Sequence, residues 1–299
     1  MRLSRPDARR LFLKSAIVGI AASVIPSPWI EEPAMTAEPA TAGSRKLPSA
    51  DELIRRPGTL LIAHRGLPVA APENSLPGFE AALVHKPDFV ELDYRHSSDG
   101  VPIVIHDAKL DRTTNSRSVF GQAEVLIGTK PAAELTKLDA GSWYDPRFTG
   151  TRLPTLDESI DCVCPKTCLM IERKDGDAAT LVALLRKKKV LDRVIVQAFD
   201  WDFIADVRKL EPDLPTGLLG KSELDAEKLA KIRAIAPRVI GWDYRDLDAV
   251  GIQAAHVAGV KVWSYTVNDP QRAREFAAAG LDGLITNHAD KARDWLDAK

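Results

Sequence analysis

The sequence predicts an α/β protein built as a (β/α)8 TIM barrel, with a small insertion after the second strand. After Asp51, short β-type runs alternate with helical patterns, which is the signature of a parallel sheet. Eight strand–helix pairs in roughly 240 residues favour a closed barrel over an open sheet. The chain has 299 residues and 45% apolar content, enough to bury one large core.

The predicted strands are short apolar runs. They are Thr59–Ala63, Phe89–Asp93, Cys168–Ile171, Val194–Gln197, Thr216–Leu219, Val239–Trp242, Val260–Thr266 and Gly283–Ile285. The predicted helices between them are Ser75–His85, Thr155–Val163, Ala178–Lys188, Trp201–Leu210, Glu223–Ala234, Asp246–Ala258, Pro270–Ala279 and Ala289–Asp297. Pro270 directly after Asp269 is typical of a capped helix start. Gly259 and Gly280 stand where helices should end.

The alternation breaks between Asp93 and Thr155. An extra apolar run, Ile103–Ile105, is followed by a polar stretch in which Glu134–Leu138 predicts a short helical turn. We therefore expect an insertion over about residues 107–153, on the face of the barrel where loops usually cover the site.

The N-terminal segment is predicted to be a signal and linker over residues 1–42, with the barrel domain over 51–299. Arg9-Arg10-Leu-Phe-Leu-Lys14 matches the twin-arginine export pattern, although an ordinary amphipathic leader is an alternative. The apolar run Ser15–Ile25 is shorter than the ~20 residues that span a bilayer, so we expect no stable membrane anchor. The mature protein is expected to be periplasmic or secreted, after transient contact with the twin-arginine export machinery.

Composition narrows the class of partner. The formal net charge of -1 argues against bulk nucleic-acid binding, so any phosphate recognition depends on a few placed cations.

Three cysteines, Cys162, Cys164 and Cys168, lie close together in sequence. No nearby histidine or fourth cysteine completes a zinc site. Buried or partly oxidised thiols are the simpler interpretation, and a disulfide involving Cys168 stays open.

Residues that carry chemistry follow the predicted strands. His64 follows the first strand, His106 follows the extra run, and Glu91 and Asp93 end the second strand. Alternate strand residues face the same side, and two carboxylates that close are usually tolerated only with a cation between them. Because catalytic groups of barrels cluster at the C-terminal strand ends, these side chains are predicted to meet.

The motifs occur in a fixed order along the chain. They are His64-Arg-Gly66, Pro72-Glu-Asn-Ser75, Glu91-Leu-Asp93, His106-Asp107, Asp111-Arg-Thr-Thr114, Leu138-Asp-Ala-Gly141, Leu153-Pro-Thr-Leu156, Glu172-Arg-Lys174 and Tyr265-Thr-Val-Asn268. This ordered set, from about Leu60 to the C-terminus, resembles the glycerophosphodiester phosphodiesterase family. The chain departs from the family pattern at Ser75, Ser98, Gln197-Ala198 and Tyr265, positions that concern substrate shape more than the reaction.

The resemblance implies metal-dependent hydrolysis of a small-molecule glycerophosphodiester to an alcohol and sn-glycerol 3-phosphate. Glu91, Asp93 and Glu172 are the implied ligands of one divalent cation, Ca²⁺ or Mg²⁺, because both prefer hard oxygen donors. His64 and His106 are the implied general base and general acid, in either order. Water and the substrate's own hydroxyl are both possible nucleophiles.

Positive and aromatic side chains complete the expected site. Arg65 and Lys174 are expected to bind phosphoryl oxygens, although Arg65 has the alternative of only pairing with Glu73. Trp263 and Tyr265 are expected to bind the alcohol moiety, with burial in the core as the alternative.

Two other functions are compatible with the barrel. A phospholipase D-type enzyme acting on lysophospholipids or lipid head groups would need an apolar rim, and the sequence shows no such run. A non-catalytic binding protein should have lost a histidine or carboxylate of the motifs, and none is missing.

Overall fold

A computed structural model describes residues 46–297, and the leader predicted over 1–42 lies outside the described residues. The strands are β1 (Leu60–Ala63), β2 (Phe89–His96), β3 (Pro102–Val104), β4 (Cys168–Arg173), β5 (Val194–Ala198), β6 (Thr216–Gly220), β7 (Val239–Asp243), β8 (Lys261–Tyr265) and β9 (Gly283–Thr286). Eight of them are parallel neighbours in the order β1-β9-β8-β7-β6-β5-β4-β2, and pairing of β1 with β2 closes the ring. The predicted (β/α)8 barrel is confirmed.

The ninth strand, β3, lies outside the ring. One edge of β2 pairs with β4, while the other pairs with β1 through Phe89 and Val90 and then with β3 through Tyr94–His96. The extra apolar run predicted from the sequence is therefore an antiparallel extension beyond the barrel rim.

The helices are α1 (Ala50–Ile54), α2 (Leu76–Val84), α3 (Ser116–Phe120), α4 (Ala132–Leu135), α5 (Leu156–Val163), α6 (Ala178–Lys188), α7 (Trp201–Leu210), α8 (Ala226–Ile235), α9 (Ala249–Val257), α10 (Pro270–Ala278) and α11 (Ala292–Asp297). α8 begins later than predicted because Asp225 caps it, accepting a hydrogen bond from Lys228 N. Among residues 46–297, no helix combines the length and the apolar character needed to cross a bilayer.

Helix α1 precedes the first barrel strand and was not predicted from the sequence. Ser49 and Glu52 form a capping box, and Ala50 N donates to Asp192 O at 2.8 Å. Leu53 and Ile54 join the apolar cluster at the base of the barrel, so α1 closes its N-terminal end. The sequence reasoning missed this helix because five residues carry little periodic signal.

The insertion has a core of its own. Its buried side chains are Ile103, Ile105, Leu110, Val125, Ile127, Leu135, Leu138, Ala140 and Leu153. Antiparallel bridges Lys109–Leu126 and Asp139–Arg152 hold its segments together, and helix α4 lies near the predicted turn. The insertion is thus a packed unit beside β3.

The three cysteines are free thiols in the structure. Cys164 and Cys168 are buried, and burial raises the pKa of each thiol to about 12. Their thiolate forms are therefore scarce at neutral pH, which agrees with the simpler interpretation that these cysteines are buried thiols.

Candidate active site

A cavity of about 180 Å³ opens where the barrel strands end. It is lined by His64, Arg65, Glu91, His106, Glu172, Lys174, Gln197, Phe199, Leu219, Tyr265, Thr266 and Ile285. The lining consists of charged and histidine side chains, called the charged wall, and of neutral side chains next to them, called the neutral wall. Of the described residues 107–153 none lines the cavity, so the insertion stands beside it and does not roof it.

Three carboxylates meet at the charged wall. Glu91 and Asp93 lie within β2, which continues to His96, and Glu172 lies beside Asp93 on β4. One oxygen from each lies within 4.8 Å of the others, and all three side chains are buried. Among the described residues, Glu91 Oε1 has no hydrogen-bond partner, and Asp93 Oδ1 has only the Lys174 ammonium nearby, at 3.2 Å. Three clustered carboxylates with a buried oxygen that lacks a donor suit a hard divalent cation, so this donor set fits the metal that the sequence implied.

The pKa shifts of the three carboxyl groups show that their negative charges repel one another. Burial, then the charges of Asp93 and Glu172, raise the pKa of Glu91 well above its ordinary range. Burial, then the Asp93 charge, raise the pKa of Glu172 to about 7. Burial would also raise the pKa of Asp93, but Lys174 and Arg65 lower it below its ordinary value. More positive charge is needed before all three groups can ionise together.

Arg65 adopts a left-handed backbone conformation, with φ of 53°. That geometry lets its N–H donate to Glu91 Oε2 at 2.8 Å, while Nη1 donates to Glu73 Oε1 at 2.9 Å. Its Nε lies 3.1 Å from Asp93 Oδ2. Arg65 therefore both pairs with Glu73 and lines the cavity, combining the two alternatives drawn from the sequence.

Gly66 makes this turn possible. A Cβ at this position would lie 2.6 Å from the backbone of Gly78 at the start of α2. The His-Arg-Gly motif thus needs its glycine for close approach of two backbone segments.

Lys174 lies between two of the carboxylates. Its Nζ is 3.2 Å from Asp93 Oδ1 and also donates to Glu172. Lys174 and Arg65 together offset two of the three carboxylate charges.

Each histidine that lines the cavity has a hydrogen-bond partner at Nδ1. His64 Nδ1 is 2.7 Å from Asn287 Oδ1, and His106 Nδ1 is 2.6 Å from Asp107 Oδ1. Because amide and carboxylate oxygens accept, these contacts assign a proton to Nδ1, so Nε2 is the nitrogen that is unprotonated in the neutral ring.

The histidines differ in electrostatic surroundings. Burial, then the Arg65 cation, lower the pKa of His64 to about 4. Burial also lowers the pKa of His106, although the Asp93 charge opposes it. The Nδ1 partner is a neutral amide for His64 and a carboxylate for His106, and a carboxylate favours the protonated ring.

Two asparagines that sequence reasoning did not assign to the site support it. Asn74 Nδ2 donates to Asp93 Oδ2 at 2.9 Å and its Oδ1 accepts from Asp93 N, while Ser75 alone caps α2. Asn287 orients His64, and Asn268 Oδ1 accepts from Asn287 N at 2.9 Å. Asn74 was visible in its motif, whereas nothing local distinguishes Asn287.

The neutral wall contains Gln197, Phe199 and Tyr265. Tyr265 donates its hydroxyl to Gly220 O at 2.7 Å and packs edge-on against Phe199. Gln197 is 2% exposed, and among the described residues its Oε1 has no hydrogen-bond partner. This glutamine was noted in the sequence only as a departure from the family pattern.

Trp263 does not reach the cavity. Its side chain is fully buried and packs against Phe89 in the cluster at the base of the barrel. The expectation that Trp263 contacts substrate is therefore corrected. Its indole points into the barrel base because it lies two residues before Tyr265, one pleat repeat lower on β8.

Comparisons with known proteins show which proteins this chain is similar to. The model of the glycerophosphoryl diester phosphodiesterase family matches residues 64–291. A glycerophosphodiester phosphodiesterase of Bacillus subtilis is 32% identical over 257 residues, covering 77% of this chain and 84% of that protein. The structure of a glycerophosphodiester phosphodiesterase from Agrobacterium tumefaciens is similar at a TM-score of 0.67 and 30% identity, over 78% of this chain and 97% of that one. A phosphodiesterase of Oleispira antarctica, solved in complex with the product sn-glycerol-3-phosphate, gives a TM-score of 0.74 at 27% identity, over 81% and 98%.

Proposed function

Because the chain belongs to the glycerophosphoryl diester phosphodiesterase family, and so is a phosphoric diester hydrolase, we propose that it hydrolyses glycerophosphodiesters to an alcohol and sn-glycerol 3-phosphate. The observation that carries the proposal is one cavity lined by two histidines, each with Nδ1 held, and by two of the three clustered carboxylates. The product complex of the Oleispira antarctica protein supports the choice of substrate class.

Glu91, Asp93 and Glu172 would hold one divalent cation, Ca²⁺ or Mg²⁺. Support comes from Glu91 Oε1, which has no hydrogen-bond partner among the described residues, and from the one carboxylate charge that Arg65 and Lys174 leave unbalanced. When bound, the cation would polarise a phosphoryl oxygen and neutralise charge developing there.

The cationic side chains bind the phosphoryl group. The planar fork of Arg65 suits two oxygens, whereas Lys174 offers a mobile point charge. Both are already oriented by carboxylates, so little reorganisation is needed as negative charge builds on the non-bridging oxygens.

His64 acts as the general base and His106 as the general acid in this proposal. A neutral partner at Nδ1 and a lowered pKa keep His64 Nε2 unprotonated, ready to take a proton from the attacking hydroxyl. The carboxylate of Asp107 stabilises protonated His106, whose Nε2 then donates to the leaving alkoxide oxygen. The histidine roles thus follow from two different hydrogen-bond partners.

The test is release of glycerol 3-phosphate from glycerophosphocholine, using metal-stripped protein with Ca²⁺ or Mg²⁺ restored. We expect metal-dependent turnover that His64→Ala and His106→Ala each lower by about 10²–10⁴-fold. His85→Ala is the matched control, because His85 is exposed at the end of α2.

Three outcomes would contradict parts of the proposal. Full turnover by the metal-stripped protein would show that the reaction does not need a metal. Undiminished turnover by a histidine variant would show that this histidine is not needed for catalysis. Activity on a lysophospholipid but not on glycerophosphocholine would favour a phospholipase D-type reaction instead.

We also propose that the chain is exported through the twin-arginine route and works in the periplasm or outside the cell. Support is the pattern Arg9-Arg10-Leu-Phe-Leu-Lys14 followed by a short apolar run, all outside the described residues.

A further inference from the structure

One arginine of the insertion reaches both sides of the candidate site. Arg112 lies in the segment Asp111-Arg-Thr-Thr114, between β3 and α3. Its guanidinium donates to Asp107 through Nε at 2.5 Å and Nη2 at 3.2 Å. It also donates to Glu73 through Nη1 at 2.9 Å and Nη2 at 2.8 Å. One side chain therefore holds two carboxylates, each through two hydrogen bonds.

Each of those carboxylates holds a residue of the cavity wall. Asp107 Oδ1 accepts from His106 Nδ1, and Glu73 Oε1 accepts from Arg65 Nη1. Arg112 itself does not line the cavity. It is thus one residue removed from both the histidine and the phosphate-facing arginine.

We propose that Arg112 is a positioning residue for catalysis, which sets the ring orientation of His106 through Asp107 and the guanidinium orientation of Arg65 through Glu73. This inference rests on the proposed roles of His106 and Arg65 in phosphodiester hydrolysis. It gives the insertion a function in the reaction, although none of residues 107–153 lines the cavity.

The electrostatics agree with the geometry. The hydrogen bonds from Arg112 are the largest cause that lowers the pKa of Asp107 to about 2. Burial would raise the pKa of Glu73, but Arg112 and Arg65 lower it. Both carboxylates are therefore ionised at neutral pH and accept from their partners.

The segment that carries Arg112 is attached to the core of the insertion. Thr114 Oγ1 donates to Leu110 O at 2.7 Å, and Leu110 is fully buried in the core of the insertion. The backbone that carries Arg112 is therefore anchored to a packed unit.

If Arg112 had only a structural role, its removal would lower the unfolding temperature together with turnover. The side chains of Arg112 and Asp107 are 44% and 29% exposed, and such a pair contributes little to the free energy of unfolding. Glu73, at 13% exposed, keeps Arg65 as a partner when Arg112 is removed. Arg112→Ala should therefore unfold near the wild-type temperature while turnover falls, because small misplacements of catalytic groups are costly.

The experiment measures kcat and KM of the full chain for glycerophosphocholine. We expect Arg112→Ala to lower kcat by about 10–100-fold. Arg112→Lys should remain close to Arg112→Ala, because a lysine is a point charge that cannot hold two carboxylates in a fork. Guanidinium at a sub-denaturing concentration should partly restore Arg112→Ala. Arg117→Ala is the matched control, an exposed arginine of the same insertion whose nearest carboxylate, Asp111, is 3.8 Å away.

A background carrying Asp107→Asn and Glu73→Gln tests whether Arg112 acts through these two carboxylates. There Arg112→Ala should change kcat little, since its partners no longer accept as carboxylates. A full loss in that background, or unchanged kcat in the single variant, would overturn the inference.

A second readout does not depend on turnover. In the ¹⁵N-histidine spectrum of the full chain, the His106 ring resonances should shift in Arg112→Ala and not in Arg117→Ala. If wild-type protein releases no glycerol 3-phosphate, the proposed function fails, and the spectrum alone decides on Arg112. Unchanged His106 resonances would then overturn the inference.

Discussion

Buried oxygens without protein donors mark this site at the scale of single residues. Glu91 Oε1 and Gln197 Oε1 are both of this kind among the described residues. A buried polar atom without a partner costs about 1–3 kcal/mol, and a ligand that supplies the missing contact offsets this cost. For Glu91 the proposed ligand is a cation, whereas the neutral amide of Gln197 suits a hydroxyl group.

Gln197 tests this reasoning. Gln197→Leu should raise KM for glycerophosphocholine by about 3–10-fold, the value of one lost hydrogen bond. The free energy of unfolding should stay constant or rise, because an unpartnered buried amide is replaced by an apolar side chain. Steady-state kinetics and denaturant unfolding measure both effects.

Gln271→Leu, at an exposed position of α10, is the control for the change in side-chain chemistry. An unchanged KM in Gln197→Leu would show that this amide does not contact substrate.

At the scale of elements, aspartates organise the segments around the barrel. Asp177, Asp200, Asp225, Asp248 and Asp269 each cap the helix that follows. In the insertion, Asp139 likewise accepts hydrogen bonds from backbone N–H groups, although it does not cap a helix. Its carboxylate accepts from the N–H groups of Gly141 and Ser142 at 2.9 and 2.8 Å, and from that of Gly150 at 2.7 Å.

Asp139 makes the stability of the insertion depend on pH. Burial would raise its pKa, but the donors of Ser142, Gly150 and Gly141 lower it to about 2, from an ordinary value of 3.8. A lowered carboxyl pKa stabilises the fold above the unfolded value, and this stabilisation is lost as pH falls through the folded value. Asp139→Asn should therefore lower the free energy of unfolding by about 1–2 kcal/mol at pH 7 and by less at pH 3.

Denaturant unfolding at the two pH values measures this difference. Asp213→Asn, at an exposed turn, serves as the control. An effect of Asp139→Asn that is equally large at pH 3 would contradict the assignment to the ionised carboxylate.

At the scale of the whole molecule, ring closure brings distant segments to one cavity. The hydrogen bond between His64 and Asn287 joins residues separated by 223 positions, and it depends on the pairing of β1 with β9. The described fold begins at Lys46, and the lining residues lie between His64 and Ile285. The proposed export signal and the candidate active site therefore occupy separate parts of the chain.

This separation predicts two independent phenotypes. Replacing Arg9 and Arg10 with lysine should abolish export while leaving turnover in the cell extract unchanged. A chain lacking residues 1–45 should keep the wild-type kcat, because the base of the barrel is closed by α1. Cell fractionation and turnover assays measure these outcomes.

Export of the twin-lysine variant at the wild-type level would contradict the twin-arginine route. Loss of turnover in the shortened chain would contradict the separation of the two functions.

The sequence by itself determined the barrel and the residues of the charged wall. Apolar strand runs, helix caps and ordered motifs are local properties, so β2, α6 and the positions of His64, Glu91 and His106 could be predicted without coordinates. Helix α1 could not, because a short helix draws its stability from Leu53 and Ile54 packing under the barrel.

Only the tertiary structure decided which atoms of those residues are free to react. Which nitrogen of His64 faces the cavity depends on Asn287, and the orientation of His106 depends on Asp107 and Arg112. Trp263 and Tyr265 have similar sequence signals, yet one is buried at the barrel base and the other lines the cavity. The physical reason is that hydrogen-bond partners and burial are set by contacts between segments far apart in the chain, whereas strand and helix patterns are set by near neighbours.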